Sequence, residues 1–121
     1  MSNETVLAEL HALRDNVAGV TDSAVASVDG MLIASDTAEV RPDVLAALAA
    51  AALGLGKSAG KEVGMGELRE VVTRCQLGHI VVYAVSTGQL LVVLGDEGLD
   101  ITRLHLESRP AVTRLGDLLA N

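Results

Sequence analysis

The spacing of apolar residues divides the chain into helices and strands. Near the N-terminus apolar side chains recur every three or four residues, as in a helix with one buried face: Val6, Leu10, Leu13 and Val17. Two later segments have the same period, and Pro42 suits the first turn of the second helix. The three predicted helices span about 4–16, 42–64 and 100–119. Pro110 is expected to kink or divide the last one, because proline lacks a backbone N–H.

Five strands are predicted between these helices, at 23–28, 31–35, 67–76, 80–85 and 90–94. The first two flank Asp29-Gly30, which is typical of a two-residue hairpin turn with positive φ at both residues. Gly78 and Thr87-Gly88 mark the later turns. The last two strands are almost continuously apolar, which indicates cover on both faces, whereas the charged strand 67–76 is predicted to lie at an edge. The order is α-β-β-α-β-β-β-α in one domain over residues 1–121.

Composition narrows the classes of partner. The 121 residues carry a net charge of -7 and one aromatic side chain, Tyr83, so there is neither a basic surface nor a stacking platform for nucleic acid. The single cysteine, Cys75, forms no internal disulfide. The longest apolar run, Val44 to Gly56, is too short to span a bilayer, and the first turn carries acidic residues rather than a leader pattern. We therefore expect no nucleic acid partner, no membrane insertion and a cytoplasmic location.

Gly56-Lys57-Ser58 matches the end of a phosphate-binding P-loop. A true P-loop has a glycine five residues before the Gly-Lys pair, between a strand and a helix. Here that position is Ala51, and the surrounding residues are strong helix formers. The amides of these residues are therefore predicted to bond within the second helix and not to cradle phosphates.

Other chemically reactive residues form no recognisable set. His11, His79 and His105 are scattered without metal-ligand spacing and are expected at the surface. Cys75 has no group that would orient a neighbouring histidine as its base. The acidic residues from Asp96 to Asp100 do not match a calcium loop and are interpreted as the entry to the last helix. We expect no enzyme activity, no metal and no cofactor.

The second helix is apolar nearly all round, which indicates that both of its sides are covered. One stripe is predicted to pack on the sheet: Val44, Leu45, Leu48, Ala52, Leu55 and Ala59. The opposite side carries the small residues Ala46, Ala50 and Gly54, with Asp43 and Lys57 at its ends. Either another helix of the same chain or a second copy of the protein covers this side. The second copy is favoured, because interior glycine is costly in a helix unless it permits close approach.

A two-fold dimer then places two of these helices antiparallel, crossing at Ala50. In that arrangement Gly54 faces Ala46 of the partner subunit, and Lys57 lies near Asp43 of the partner subunit. Opposite charges at the rim contribute little. The small residues at the crossing are therefore expected to dominate the interface.

Several local sequences resemble one known family. They are Gly19-Val20, Ser23 to Val28, Asp29-Gly30, Met31 to Ser35, the alanine-rich second helix, Gly78, Ile80 to Val85, Gly88 and Leu90 to Leu94. Together they resemble the Roadblock-family dynein light chains. The chain is more similar still to their bacterial relatives, the gliding-motility B proteins and the B components of actinobacterial GTPase operons. The resemblance extends from about residue 4 to residue 119.

This resemblance implies a Roadblock/profilin-like α+β fold. A five-stranded antiparallel sheet then carries the second helix on one face and the terminal helices on the other. It also implies a homodimer through the second helix and the edge strand 67–76, and regulation of a Ras-like small GTPase. The alternatives are a structural adaptor within a larger assembly and a small-ligand sensor domain. The scarcity of aromatic residues weighs against the last of these.

Overall fold

The computed structural model describes residues 3–120. The chain order is that predicted from the sequence, α-β-β-α-β-β-β-α. The elements are α1 Asn3–Asn16, β1 Val20–Ser27, β2 Leu32–Asp36, α2 Pro42–Glu62, β3 Glu70–Cys75, β4 Gly78–Val85, β5 Gln89–Asp96 and α3 Ile101–Leu119.

The five strands form one antiparallel sheet in the order β2-β1-β5-β4-β3. The prediction that strand 67–76 lies at an edge is confirmed for β3. Strand residues alternate between two cores. On one face Val81, Tyr83 and Val93 pack with α1 and α3. On the other face Val82 and Val92 pack with α2. The predicted arrangement of helices on the two faces is therefore confirmed.

The hairpin between β1 and β2 differs from the predicted two-residue turn. Its loop is Val28 to Gly30, and the amide of Ser27 donates to the carbonyl of Met31 over 2.9 Å. Only Gly30 has a positive φ, of 89°. Three-residue loops place a single residue in this region, usually glycine. Asp29 and Gly30 do lie in the turn, but the loop contains one residue more than the dipeptide suggested.

Gly78 also has a different role from the predicted one. The turn before β4 is Gln76-Leu77, and Gly78 is the first residue of the strand. A Cβ at Gly78 would overlap the carbonyl oxygen of Gly95 in β5. The glycine therefore permits close approach of two backbones and does not form the bend.

Helix α3 is continuous through Pro110. Of the two predicted effects of this residue, division of the helix is therefore wrong, and a kink stays a prediction. Asp100 is its N-cap and accepts a hydrogen bond of 3.0 Å from the amide of Arg103. Leu104 and Leu115 are fully buried against the sheet. This packing fixes α3 on either side of the proline, so the loss of one backbone hydrogen bond does not end the helix.

Candidate functional site

The most exposed apolar surface on a helix lies along α2. Val44, Ala47, Leu48, Ala51 and Leu55 all face solvent, and we call this surface the α2 outer face. Leu48 is 64% exposed and Leu55 is 74% exposed. Their spacing places all five within one side of the helix. Large apolar side chains exposed in a contiguous stripe are typical of an interaction surface.

The predicted orientation of α2 is therefore wrong. Of the stripe expected to pack on the sheet, Leu45 does so, but Val44, Leu48 and Leu55 do not. The residues of α2 that pack on the sheet are Leu45, Ala46, Ala49 and Leu53. The small residues Ala46 and Ala49 let the helix axis approach the sheet closely, with Leu45 and Leu53 on either side. The stripe predicted to face the sheet holds most of the bulky side chains of the helix, and these bulky side chains are largely on the outside. At about 100° per residue, the true outer face is rotated roughly a quarter turn from the predicted one.

The predicted dimer residues accordingly have different environments. Ala46 is 0% exposed and belongs to the core, so it cannot contact a partner. Ala50 is half-buried beside the same core, and Lys57 is half-buried. Asp43 and Gly54 are exposed. The predicted contact of Gly54 with the partner subunit's Ala46 is therefore excluded.

The two helix glycines highlighted by the sequence also have separate roles. A Cβ at Gly56 would lie 2.8 Å from Leu68 Cδ2 and 3.0 Å from Val71 Cγ2. This glycine therefore permits α2 to pack on β3 within the chain. A Cβ at Gly54 would meet nothing within 4 Å. Gly54 alone remains available for close approach by another molecule.

The P-loop-like residues Gly56-Lys57-Ser58 lie inside α2, as predicted. Cys75 is exposed at the end of β3. The Asp96 carboxylate accepts a 2.9 Å hydrogen bond from the amide of Gly98. Asp96 and Asp100 therefore shape the turn and cap that precede α3, which confirms their interpretation as the entry to this helix. Within residues 3–120, no three His, Cys, Asp or Glu side chains are grouped as metal ligands would be.

The histidines are less exposed than predicted. His11 is exposed, whereas His79 and His105 are half-buried. His105 Nδ1 shares a 2.8 Å hydrogen bond with the Tyr83 hydroxyl, and the two rings meet edge to face. The pKa of Tyr83 is raised to about 12, mainly by burial; the Ser108 hydroxyl offsets part of this rise, and the Glu70 carboxylate adds to it. No sequence pattern links these residues, since they come from three separate elements.

Helix α2 also has the length and mean hydropathy of a membrane-spanning helix. These two properties do not distinguish a bilayer from a protein partner. In this fold one side of α2 is already packed on the sheet. What remains exposed is the outer face, not the whole circumference of the helix.

Known proteins share both the sequence pattern and the fold. The Roadblock/LC7 domain family matches residues 6–95. A Roadblock/LC7 domain from Streptomyces avermitilis is 27% identical and superposes with a TM-score of 0.88, covering 93% of this chain and 96% of that one. Myxococcus xanthus MglB is 18% identical, with a TM-score of 0.89 over 99% and 98% of the two chains. An uncharacterized protein of Methanocaldococcus jannaschii is 28% identical over 98 residues, which is 80% of this chain and 85% of the relative.

Proposed function

The chain belongs to the Roadblock/LC7 domain family, and from this premise we propose that it is a non-catalytic homodimeric interaction module that binds and regulates a Ras-like small GTPase. The observation that carries the dimer is the α2 outer face. Leu48 and Leu55 are among its most exposed side chains. Burying such side chains contributes roughly 25 cal/mol per Å² of apolar area removed from water.

The spacing of the outer face suits a two-fold antiparallel crossing between Leu48 and Ala51. In this arrangement Leu48 packs against Ala51 of the partner subunit, and Val44 packs against Leu55 of the partner subunit. Each large residue thus faces a smaller one, which favours interdigitation. The arrangement is self-complementary, as an isologous interface must be. Strand β3 presents its free edge beyond its pairing with β4 and is proposed to extend the interface.

A charge at the crossing tests this dimer. Ala51→Glu places two carboxylates close together at the axis, and like charges there destabilise association. The matched control is Ala8→Glu, the same substitution at an exposed position of α1. Multi-angle light scattering should give a dimer for the wild type and the control, and a monomer for Ala51→Glu. A dimer in all three proteins would place the interface elsewhere, and a monomeric wild type that binds liposomes would indicate a membrane partner.

The GTPase partner is tested separately with purified proteins. Small GTPases encoded in the same genome are loaded with GDP or with a non-hydrolysable GTP analogue and passed over the immobilised chain. We expect retention that depends on the nucleotide state. Because the chain has a net charge of -7, we also expect faster association at low salt with a basic patch on the GTPase.

The alternative function is a structural adaptor in a larger assembly. MglB, which shares the fold, is known in a tetrameric arrangement, and an assembly beyond the dimer supports an adaptor role. If no such GTPase is retained in either nucleotide state while the dimer persists, the adaptor function is favoured. Retention that is equal in both states would indicate recruitment without regulation.

A further inference from the structure

A groove of about 780 Å³ lies between α3 and the edge strand β3, and its lining continues around the edge of the sheet to Lys57 of α2. It exists because α3 contacts β4 and β5 and, within residues 3–120, does not contact β3. The α3 side of the edge strand is therefore uncovered. Its volume is within the range of about 300–1,000 Å³ that small-molecule sites occupy.

The floor of the groove is polar and contains the only aromatic residue of the chain. Tyr83 and His105 both line it and are joined by their hydrogen bond. Ser108 lines it as well, with only 1% of the residue exposed. Its hydroxyl acts on the pKa of Tyr83 but lies outside hydrogen-bond geometry, and it has no partner among residues 3–120. Buried hydroxyls in proteins are nearly always bonded, so this one is suited to a ligand in the groove.

Three cations and two carboxylates line the walls of the groove. Arg69, Arg109 and Lys57 border the groove. Within the described residues they form no ion pair, and the same is true of Arg41, Lys61 and Arg74 elsewhere, whereas Arg14, Arg103 and Arg114 each pair with a carboxylate. Since the chain has 16 acidic and 9 basic residues, three cations around one groove are a local concentration of positive charge. The carboxylates of Glu67 and Glu70 also border it, which leaves three positive and two negative groups.

We propose that this α3–β3 groove binds a small organic anion, whose phosphate or carboxylate group is held by Arg69 and Arg109 above the hydroxyls of Tyr83 and Ser108. Guanidinium groups form strong charge-assisted hydrogen bonds with both kinds of anion. Leu68 and Val112, which also line the groove, contact the carbon skeleton. The rings of Tyr83 and His105 meet edge to face, so the groove cannot sandwich a nucleobase between them.

The single tyrosine makes the site directly observable. The chain has no tryptophan, so its tyrosine fluorescence reports on Tyr83 alone. Inorganic phosphate and citrate are titrated against chloride at constant ionic strength. Binding should give a saturable change in emission and an increase in Tm, because a ligand that binds only the native state stabilises it. A change that is linear in anion concentration indicates collisional quenching and overturns the proposal.

Matched variants locate the binding. Arg109→Gln should weaken binding about tenfold or more, the equivalent of one charge-assisted hydrogen bond. Arg74→Gln removes the same charge from β3 outside the groove and should change affinity less than about twofold. Ser108→Ala should weaken binding without lowering the Tm of the free protein, because its hydroxyl has no partner to lose. Equal weakening in Arg74→Gln and Arg109→Gln would reveal general charge screening and overturn the site.

A hexaglutamate peptide distinguishes a free anion from an acidic segment of a macromolecule. We expect phosphate or citrate to bind and to compete with any binding of the peptide. Saturable binding of the peptide alone would overturn the small-anion proposal and assign the groove to an acidic protein segment. The dimer is tested by Ala51→Glu on the α2 outer face, so its outcome is read separately from that of the groove variants.

Discussion

The orientation of α2 can be tested with one substitution made at two positions. Leu53 and Leu55 are two residues apart on the same helix, but Leu53 is 1% exposed and Leu55 is 74% exposed. Replacing either with alanine removes the same atoms and changes helix propensity by the same small amount. Any difference between the two variants therefore measures which side of the helix packs on the sheet.

The expected magnitudes are well separated. Leu53 is packed among Val82, Leu90 and Val92, and leucine to alanine in such a core costs about 2–5 kcal/mol. For a chain of this length the cost corresponds to a Tm decrease of roughly 8–20 °C. Leu55→Ala removes a side chain that is already mostly in water. Its effect on the free energy of unfolding of the protomer should be below about 0.5 kcal/mol.

The assay is urea unfolding followed by far-ultraviolet circular dichroism, in the Ala51→Glu background. This background removes the concentration dependence that a dimer would add. A lower midpoint with an unchanged m-value reports a real loss of stability. In the dimer-competent background, Leu55→Ala should in addition weaken association measured by light scattering.

The opposite ranking would refute the observed orientation. If Leu55→Ala costs more than Leu53→Ala in the monomeric background, the stripe predicted from the sequence faces the sheet after all. Equal costs would mean that both sides of α2 are buried in the protomer. Either result would also remove the basis of the proposed dimer, because that proposal requires Leu55 at the surface.

Two further predictions concern the sheet. In a spectrophotometric titration the native Tyr83 should ionise near the raised pKa of about 12, whereas in urea it should ionise near 10. The protonated hydroxyl therefore stabilises the native state by about 3 kcal/mol at most. This contribution is complete below pH 10 and is lost as the pH rises to 12. A native midpoint at 10 would contradict this burial. Gly78→Ala should lower the free energy of unfolding by about 2 kcal/mol or more, because its Cβ would overlap a carbonyl of β5. At Gly88 a Cβ would meet nothing within 4 Å, so Gly88→Ala should lower it by less than about 1 kcal/mol. Equal effects of the two substitutions would exclude the close approach.

The order of elements could be predicted from the sequence because most elements carry a clear local signal. The spacing of Val6, Leu10 and Leu13 is helical, and the apolar runs of β4 and β5 are short, rich in β-branched residues and flanked by glycine, which favours strands. The orientation of α2 could not be read in the same way. Its residues are apolar on nearly every side, so periodicity does not select the side that faces the sheet. The close approach of Ala46 and Ala49 to the sheet depends on the shape of the surface opposite them.

The groove could not be predicted from the sequence, for a different reason. Arg69, Tyr83 and Arg109 belong to a loop, a strand and a helix, and nothing in their spacing relates them. The prediction of the hairpin turn was wrong only in the length of its loop. Asp29-Gly30 correctly marked its place, but loop length depends on hydrogen bonds such as that between Ser27 and Met31, which the dipeptide does not determine.

The two faces of the sheet explain why two different surfaces remain for partners. Within residues 3–120, α1 and α3 share the cover of one face but α3 does not contact β3, so charged residues at that edge line an open groove. Of the three described helices, α2 is the one that packs on the other face, and its outer side is apolar. Removing water from the charged side chains of the groove costs free energy unless an ion of opposite charge takes its place. Removing water from the apolar face of α2 is favourable. The outer face of α2 is therefore suited to a second copy of the chain, and the groove to a small charged ligand.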